Sequence, residues 1–134
     1  STGAIGGTYG GNPMSCAAAK AVFQIFKDEK LVDHAAAIGE TVKKRFDSFQ
    51  DRFPIVGDSR GLGAMRAIEL VQDKKSKEPL PAASVKEILH KCQDHGLIVI
   101  KAGIFDNVIR TLMPLTIPDE QLNKGLDILE EALS

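Results

Sequence analysis

The run Gly6-Gly7-Thr8-Tyr9-Gly10-Gly11-Asn12-Pro13 constrains the fold of this chain more than any other stretch. Asn12 suits an N-cap, because its side-chain oxygen can accept an early helical N–H. Pro13 suits the first helical position, where a missing donor costs nothing. A helix is therefore expected to begin at residue 13. Glycines let backbone approach a ligand closely, Thr8 offers an O–H donor, and the unpaired N–H groups and dipole of a helix start favour an anion. Two readings fit: an ordinary glycine-rich turn before a capped helix, or a junction that holds a phosphate.

Beyond Pro13, Met14, Ala18, Ala21, Val22, Ile25 and Phe26 recur with helical spacing, so one face of this first helix is expected to pack inward. Asp28-Glu29-Lys30 interrupts the pattern. Val32, Ala35, Gly39, Val42, Phe46, Phe49 and Phe53 then mark a second helix that Pro54 ends. The seven-residue spacing on that helix fits a packed intramolecular face, with a coiled coil as the alternative. The alternation over Leu62 to Leu70 predicts a strand, in which Gly61 and Gly63 allow a bend or bulge. Asp73 to Pro81 is charged and proline-flanked, as expected of a solvated loop.

Val85, Ile88, Leu89 and Cys92 predict a third helix, with Gly96 placed to end it in a left-handed conformation. Leu97-Ile98-Val99-Ile100 has the β-branched content of a short buried strand. A turn near Gly103 and an extended segment from Asn107 to Met113 follow. A last helix is expected from Pro118-Asp119-Glu120, with acids at its positive end, burying Leu122, Leu126, Leu129 and Leu133. Helices and strands in this order indicate an α+β two-layer unit, with no linker that would divide the chain.

At 134 residues with a 43% hydrophobic share, the chain is of single-domain size and can bury a core. A formal charge of −1, with acids and bases interspersed, gives no electrostatic case for nucleic acid or an anionic membrane, so small molecules or proteins are the expected partners. No apolar run approaches the roughly 20 residues of a membrane span. Cys16 and Cys92 form neither a disulfide framework nor a paired metal motif. Both fall at helical apolar positions and are expected to be buried free thiols, which suits a reducing compartment such as the cytoplasm. His34, His90 and His95 lack metal-ligand spacing and are read as solvated or capping residues, so no metal site is expected.

Arg110 is the sharpest single candidate for chemistry. In Val108-Ile109-Arg110-Thr111-Leu112-Met113 a guanidinium stands among apolar neighbours, where burial would require an anion or several acceptors. Its planar fork matches a carboxylate. The alternative is a strand arginine that reaches solvent or pairs with a nearby acid.

The segment GGTYGGNP with the alanine-rich run after it, Gly57 to Met65 (GDSRGLGAM), Asn107 to Arg110 (NVIR) and Pro114 to Ile117 (PLTI) keep the order and rough spacing of segments in class III aminotransferases. The chain resembles that family over essentially its whole length, and it is similar to only the last third or so of such an enzyme. The resemblance implies the small C-terminal domain of a fold-type I transferase dependent on pyridoxal 5′-phosphate. Residues 1–134 then form one class III C-terminal region, with residues 1–12 as the cofactor-phosphate loop and helix start, and 13–134 as the small domain.

The resemblance gives Arg110 the binding of a substrate carboxylate, and it gives Thr8, with Gly7 beside it, a contact to the cofactor phosphate across the interface of a homodimer. Arg60 is expected to form a structural ion pair, and Tyr9 to anchor a loop or interface. The family's Schiff-base lysine, pyridinium-pairing aspartate and ring-stacking aromatic lie upstream of GGTY, so none of the twelve lysines here is a candidate and no catalytic residue is assigned. The chain is therefore expected to be a C-terminal part of an enzyme, partnered by a missing large domain, and inactive and without cofactor on its own. The implied ping-pong reaction moves the amino group of 4-aminobutyrate to 2-oxoglutarate. Ornithine-type and other ω-amino acids are alternative donors, and a non-catalytic interaction domain with the same fold is the alternative of a different class.

Overall fold

The computed structural model describes residues 7–134; Gly6 and the rest of the 1–6 stretch of the expected phosphate loop lie outside the described residues. The chain divides into two compact units, Ser1–Val32 and Asp33–Ser134, at a point where the sequence offers no linker. In the first unit, α1 runs over Pro13–Asp28. Its N-cap is Asn12, whose Oδ1 accepts from the N–H of Met14 (3.0 Å) and of Ser15 (3.2 Å). The expected start is thus observed, but the expected inward face is not: none of the residues of α1 is buried, and Met14, Val22, Phe23, Ile25 and Phe26 are all exposed. Cys16 is exposed with them, contrary to the expected burial, because it lies on the same helix.

The second unit contains nearly all of α2 (Leu31–Arg52), followed by β1 (Val56–Leu62), β2 (Met65–Asp73), β3 (Glu78–Pro79), α3 (Ala82–Asp94), β4 (Ile100–Ala102), β5 (Val108–Arg110) and α4 (Asp119–Leu133). The strands form an antiparallel sheet in the order β1-β2-β5-β4, with β3 paired to β2. One face of the sheet supplies Val56, Ile68, Leu70 and Ile109 to a core shared with Val42, Phe46 and Phe49 of α2, Val85, Ile88 and Cys92 of α3, and Leu122, Leu126, Leu129 and Leu133 of α4. This is the expected α+β two-layer unit. The heptad-like face of α2 is an intramolecular packing face, with Phe46 and Phe49 at a ring separation of 5.8 Å. At the helix edges, Arg45 bridges Asp127 (2.7 Å) and Glu130 (2.6 Å) of α4, and Arg52 joins it on Glu130.

Four expectations about the extended segments and their connections change. The segment read as one strand over Leu62 to Leu70 is the second half of a hairpin: Leu62 pairs with Met65 around a two-residue loop in which Gly63 takes φ 51°. Alternation cannot show such a loop when its two residues, Gly63 and Ala64, are small enough to continue the pattern. The charged segment 73–81 is a tight reversal whose returning strand, β3, pairs with Val71 and Asp73. The strand expected at Leu97 to Ile100 begins only at Ile100 and lies at the sheet edge, so Ile98 is 85% exposed; its β-branched content signalled extended backbone, not burial. The stretch Asn107 to Met113 contributes only Val108–Arg110 to the sheet. Gly96 ends the helical region at φ 88°, as expected.

Packing of α2 on the hairpin depends on Gly39. A Cβ there would collide with the backbone of Gly63, so the missing side chain lets helix and turn approach each other directly. A bulge between Val56 and Asp58 sets the faces of β1. Residues two apart normally share a face, but the extra residue puts Val56 in the core opposite Leu70 and turns Asp58 and Arg60 to the other face, opposite Glu69 and Ala67.

Candidate functional site

The two parts of the expected site fall in separate units. In the first, Gly10 N–H donates to the Gly7 carbonyl (3.0 Å) and Asn12 N–H to the Tyr9 carbonyl (3.1 Å), so residues 7–12 form successive turns that lead into α1. Thr8 and Tyr9 are exposed, and among the described residues the Thr8 hydroxyl makes no hydrogen bond. The helix start itself has little to offer an anion. Pro13 has no N–H, Met14 and Ser15 donate to Asn12 Oδ1, and Cys16 N–H donates to the Asn12 carbonyl (2.9 Å). The helix dipole remains, but direct hydrogen bonds to a phosphate would have to come from the loop, with Thr8 as its side-chain donor.

In the second unit, Arg110 closes β5, paired with Ala67 of β2 on one side and Ile100 of β4 on the other. Both ends of that strand are fastened. Asn107, 2% exposed, donates through Nδ2 to the Leu70 carbonyl (2.8 Å), and its own carbonyl accepts from Leu70 N–H (2.7 Å). At the far end Thr111 Oγ1 donates to the Ala64 carbonyl (2.7 Å) and accepts from Arg66 N–H (3.0 Å). Sequence reading gave neither residue a task; the available signal was a polar residue on each side of the triplet Val108-Ile109-Arg110.

Arg110 is exposed and, among the described residues, has no ion pair or side-chain hydrogen bond. The strand arginine therefore reaches outward without a carboxylate of its own. It stands at a groove of about 430 Å³ between residues 97–100, residues 110–114 and α4, and is the one charged residue of a lining that is otherwise mainly aliphatic. An unpaired guanidinium beside an apolar groove can hold a carboxylate by two parallel hydrogen bonds.

Arg60 behaves differently on the same face. It pairs with Asp58 (2.6 Å) and Glu69 (2.6 Å), whose hydrogen bonds, Asp58 first and Glu69 second, raise its pKa above the ordinary arginine value. This is the structural ion pair expected of it. Arg66 folds back on the hairpin, donating to the carbonyls of Gly63 (3.2 Å) and Gly61 (3.0 Å). Cys92 is buried as expected, and desolvation pushes its thiol pKa up, which makes it an inert core residue. His95 sits at the C-cap of α3 with Nδ1 2.8 Å from the Lys91 carbonyl. Among the described residues no three His, Cys, Asp or Glu side chains are grouped to hold a metal, and no helix is long and apolar enough to cross a membrane.

The sequence model of the family described as aminotransferase class-III matches residues 1–133. The chain belongs to the class III aminotransferases. Among curated members of this family, it is 46% identical over 129 residues to 5-aminovalerate aminotransferase of Pseudomonas aeruginosa and 42% identical over 129 residues to 4-aminobutyrate aminotransferase of Escherichia coli. Each alignment covers 96% of this chain and 30% of the relative, so the chain spans about a third of the length of the class III enzymes it matches. Solved transaminase structures share its fold, among them the following two. An aminotransferase of Bacillus anthracis superposes with a TM-score of 0.87 at 32% identity, covering 94% of this chain and 29% of that one. An amine transaminase from an uncultivated Pseudomonas species, in a pyridoxal-phosphate-bound form, gives 0.85 at 34% identity, covering 98% and 30%. Class III aminotransferases depend on pyridoxal 5′-phosphate, and the fold here is the α+β small domain of such a transaminase.

Proposed function

We propose that this chain provides the substrate-carboxylate arginine and a cofactor-phosphate contact to a larger aminotransferase that moves the amino group of a linear ω-amino acid to 2-oxoglutarate. The observation that carries this reading is Arg110, exposed, without an ion pair among the described residues and fixed at the end of β5 beside an apolar groove. Its fork would receive the carboxylate of the amino donor in one half-reaction and of the oxo acid in the other, so that one cation orients both substrates. Donors of four and five carbons are both supported, since relatives named for 4-aminobutyrate and for 5-aminovalerate match at similar identity.

The residues here fit the phosphate end of the cofactor. Thr8 presents an exposed hydroxyl beside Gly7 and ahead of the positive end of α1, and it would hold the phosphate of the cofactor in the second subunit of a homodimer. When bound, pyridoxal phosphate supplies the electron sink that stabilises a substrate carbanion. No lysine of this sequence is assigned to attach it, so the chain by itself is proposed to be inactive. Two unpaired cysteines suit a reducing compartment such as the cytoplasm.

Arg110→Lys in the full-length enzyme tests the reading. It keeps the charge and removes the planar fork, so kcat/KM is expected to fall about 10- to 100-fold for amino donor and oxo acceptor alike, the range for hydrogen bonds to charged groups, with cofactor content unchanged. Unchanged kinetics for both substrates would reject it.

A further inference from the structure

The sheet face that presents Arg110 carries two arginines and two carboxylates, and their pairing is selective. Direct cross-strand neighbours run Arg60, Ala67, Arg110, Ile100 in one row and Asp58, Glu69, Val108, Ala102 in the next. Glu69 is therefore diagonal to Arg60 on one side and to Arg110 on the other. Diagonal neighbours in an antiparallel sheet have Cα atoms about 7–8 Å apart, within reach of long side chains. Either arginine is thus accessible to Glu69. The structure gives Glu69 to Arg60 at 2.6 Å, and Arg60 binds Asp58 at the same distance.

We infer that Arg60 is a positioning residue for substrate binding: it holds Glu69 away from Arg110 and so keeps the Arg110 guanidinium open to an incoming carboxylate. Three features support this role. The bulge before Asp58 turns Asp58 and Arg60 onto this face; without it β1 would present Gly57, Ser59 and Gly61 here instead. Ala67, with one side-chain carbon, stands between the two arginines and leaves the face clear. Asp58 supplies a second anion from β1 to the Arg60 guanidinium, and β1 lies two strand spacings, roughly 10 Å, from the β5 strand of Arg110. Without Arg60, Glu69 would have one guanidinium within reach, and it would compete with substrate for the fork.

The inference rests on the proposed role of Arg110, and the test separates the two. The full-length enzyme is titrated calorimetrically with glutarate, a dicarboxylate with no amino or oxo group to react. Arg60→Gln is expected to weaken glutarate binding about fivefold, the scale of an exposed ion pair acting as competitor. Arg60→Lys, which keeps the cation, should bind as the parent does. Adding Glu69→Gln to Arg60→Gln should restore affinity, an outcome that general damage to the sheet would not give. Unchanged binding in Arg60→Gln, or a loss that Glu69→Gln does not repair, overturns the inference while leaving Arg110 as the carboxylate site. If Arg110→Gln binds glutarate as tightly as the parent, the substrate-arginine reading fails and this inference fails with it.

Discussion

Helices α1 and α4 have the same sequence signature and opposite fates. Both start beside a proline and both repeat apolar residues at three- and four-residue steps. Yet α4 buries Leu122, Leu126, Leu129, Ala132 and Leu133, whereas α1 buries no residue. Periodicity states that a helix has an apolar face; it does not state which surface will cover it. The same contrast divides the proposed site. Thr8 belongs to turns without a buried side chain, whereas Arg110 is held by a strand fastened at both ends through Asn107 and Thr111.

The sharpest way to break this comparison is to delete one ring from each kind of helix. Phe46 of α2 is fully buried and Phe23 of α1 is 75% exposed. Urea denaturation of the chain should show Phe46→Ala losing about 3–5 kcal/mol and Phe23→Ala changing by less than about 0.5 kcal/mol. Similar losses at both positions would mean that the face of α1 is covered within this chain after all.

Gly39→Ala is smaller in effect and more discriminating in sign. Helix propensity alone favours alanine over glycine by about 1 kcal/mol. The Cβ would meet the Gly63 backbone, so the expected outcome is instead a loss of about 1–3 kcal/mol in the same denaturation experiment. Stabilisation would show that α2 and the hairpin have room between them.

For α1, stability must come from local terms, so its cap should matter. Asn12→Ala removes the acceptor of the Met14 and Ser15 amides and should cost the helix about 1 kcal/mol, read as faster hydrogen exchange at those two amides. Unchanged exchange would mean that something other than the cap holds the first turn.

The smallest effect is a pH dependence confined to the second unit. Asp47 accepts hydrogen bonds from Lys43 (2.6 Å) and Ser59 (3.0 Å), and the Lys43 bond is the main cause that lowers its pKa. A folded pKa below the unfolded value gives stability that is present above the unfolded pKa, near 4, and lost as pH falls through the folded one. Because the Asp47 side chain is 43% exposed, solvent screening limits this to a few tenths of a kcal/mol. The stability difference between the parent chain and Asp47→Asn should therefore shrink only below about pH 4, measured by thermal unfolding across pH 3–7. A difference that closes between pH 5 and 7 would assign the effect to another group.

Legibility followed the range of the interaction that decides each feature. The start of α1 at Asn12-Pro13, the end of α2 before Pro54, the left-handed Gly96 and the leucine face of α4 are set by contacts within a few residues, and each stands where the sequence placed it. The family was legible for a related reason: GGTY, RGLGAM, NVIR and PLTI are local strings whose order survives in the linear text. What the text did not contain was the identity of the neighbour across each gap. Only the tertiary structure decided that Leu62 and Met65 face each other around a turn, that Ile98 lies outside the core, and that Arg60 takes both carboxylates while Arg110 keeps none. A residue's own chemistry fixes which partners it can accept. The register of strands distant in sequence fixes which of them it meets, because a shift of one residue moves every side chain to the opposite face.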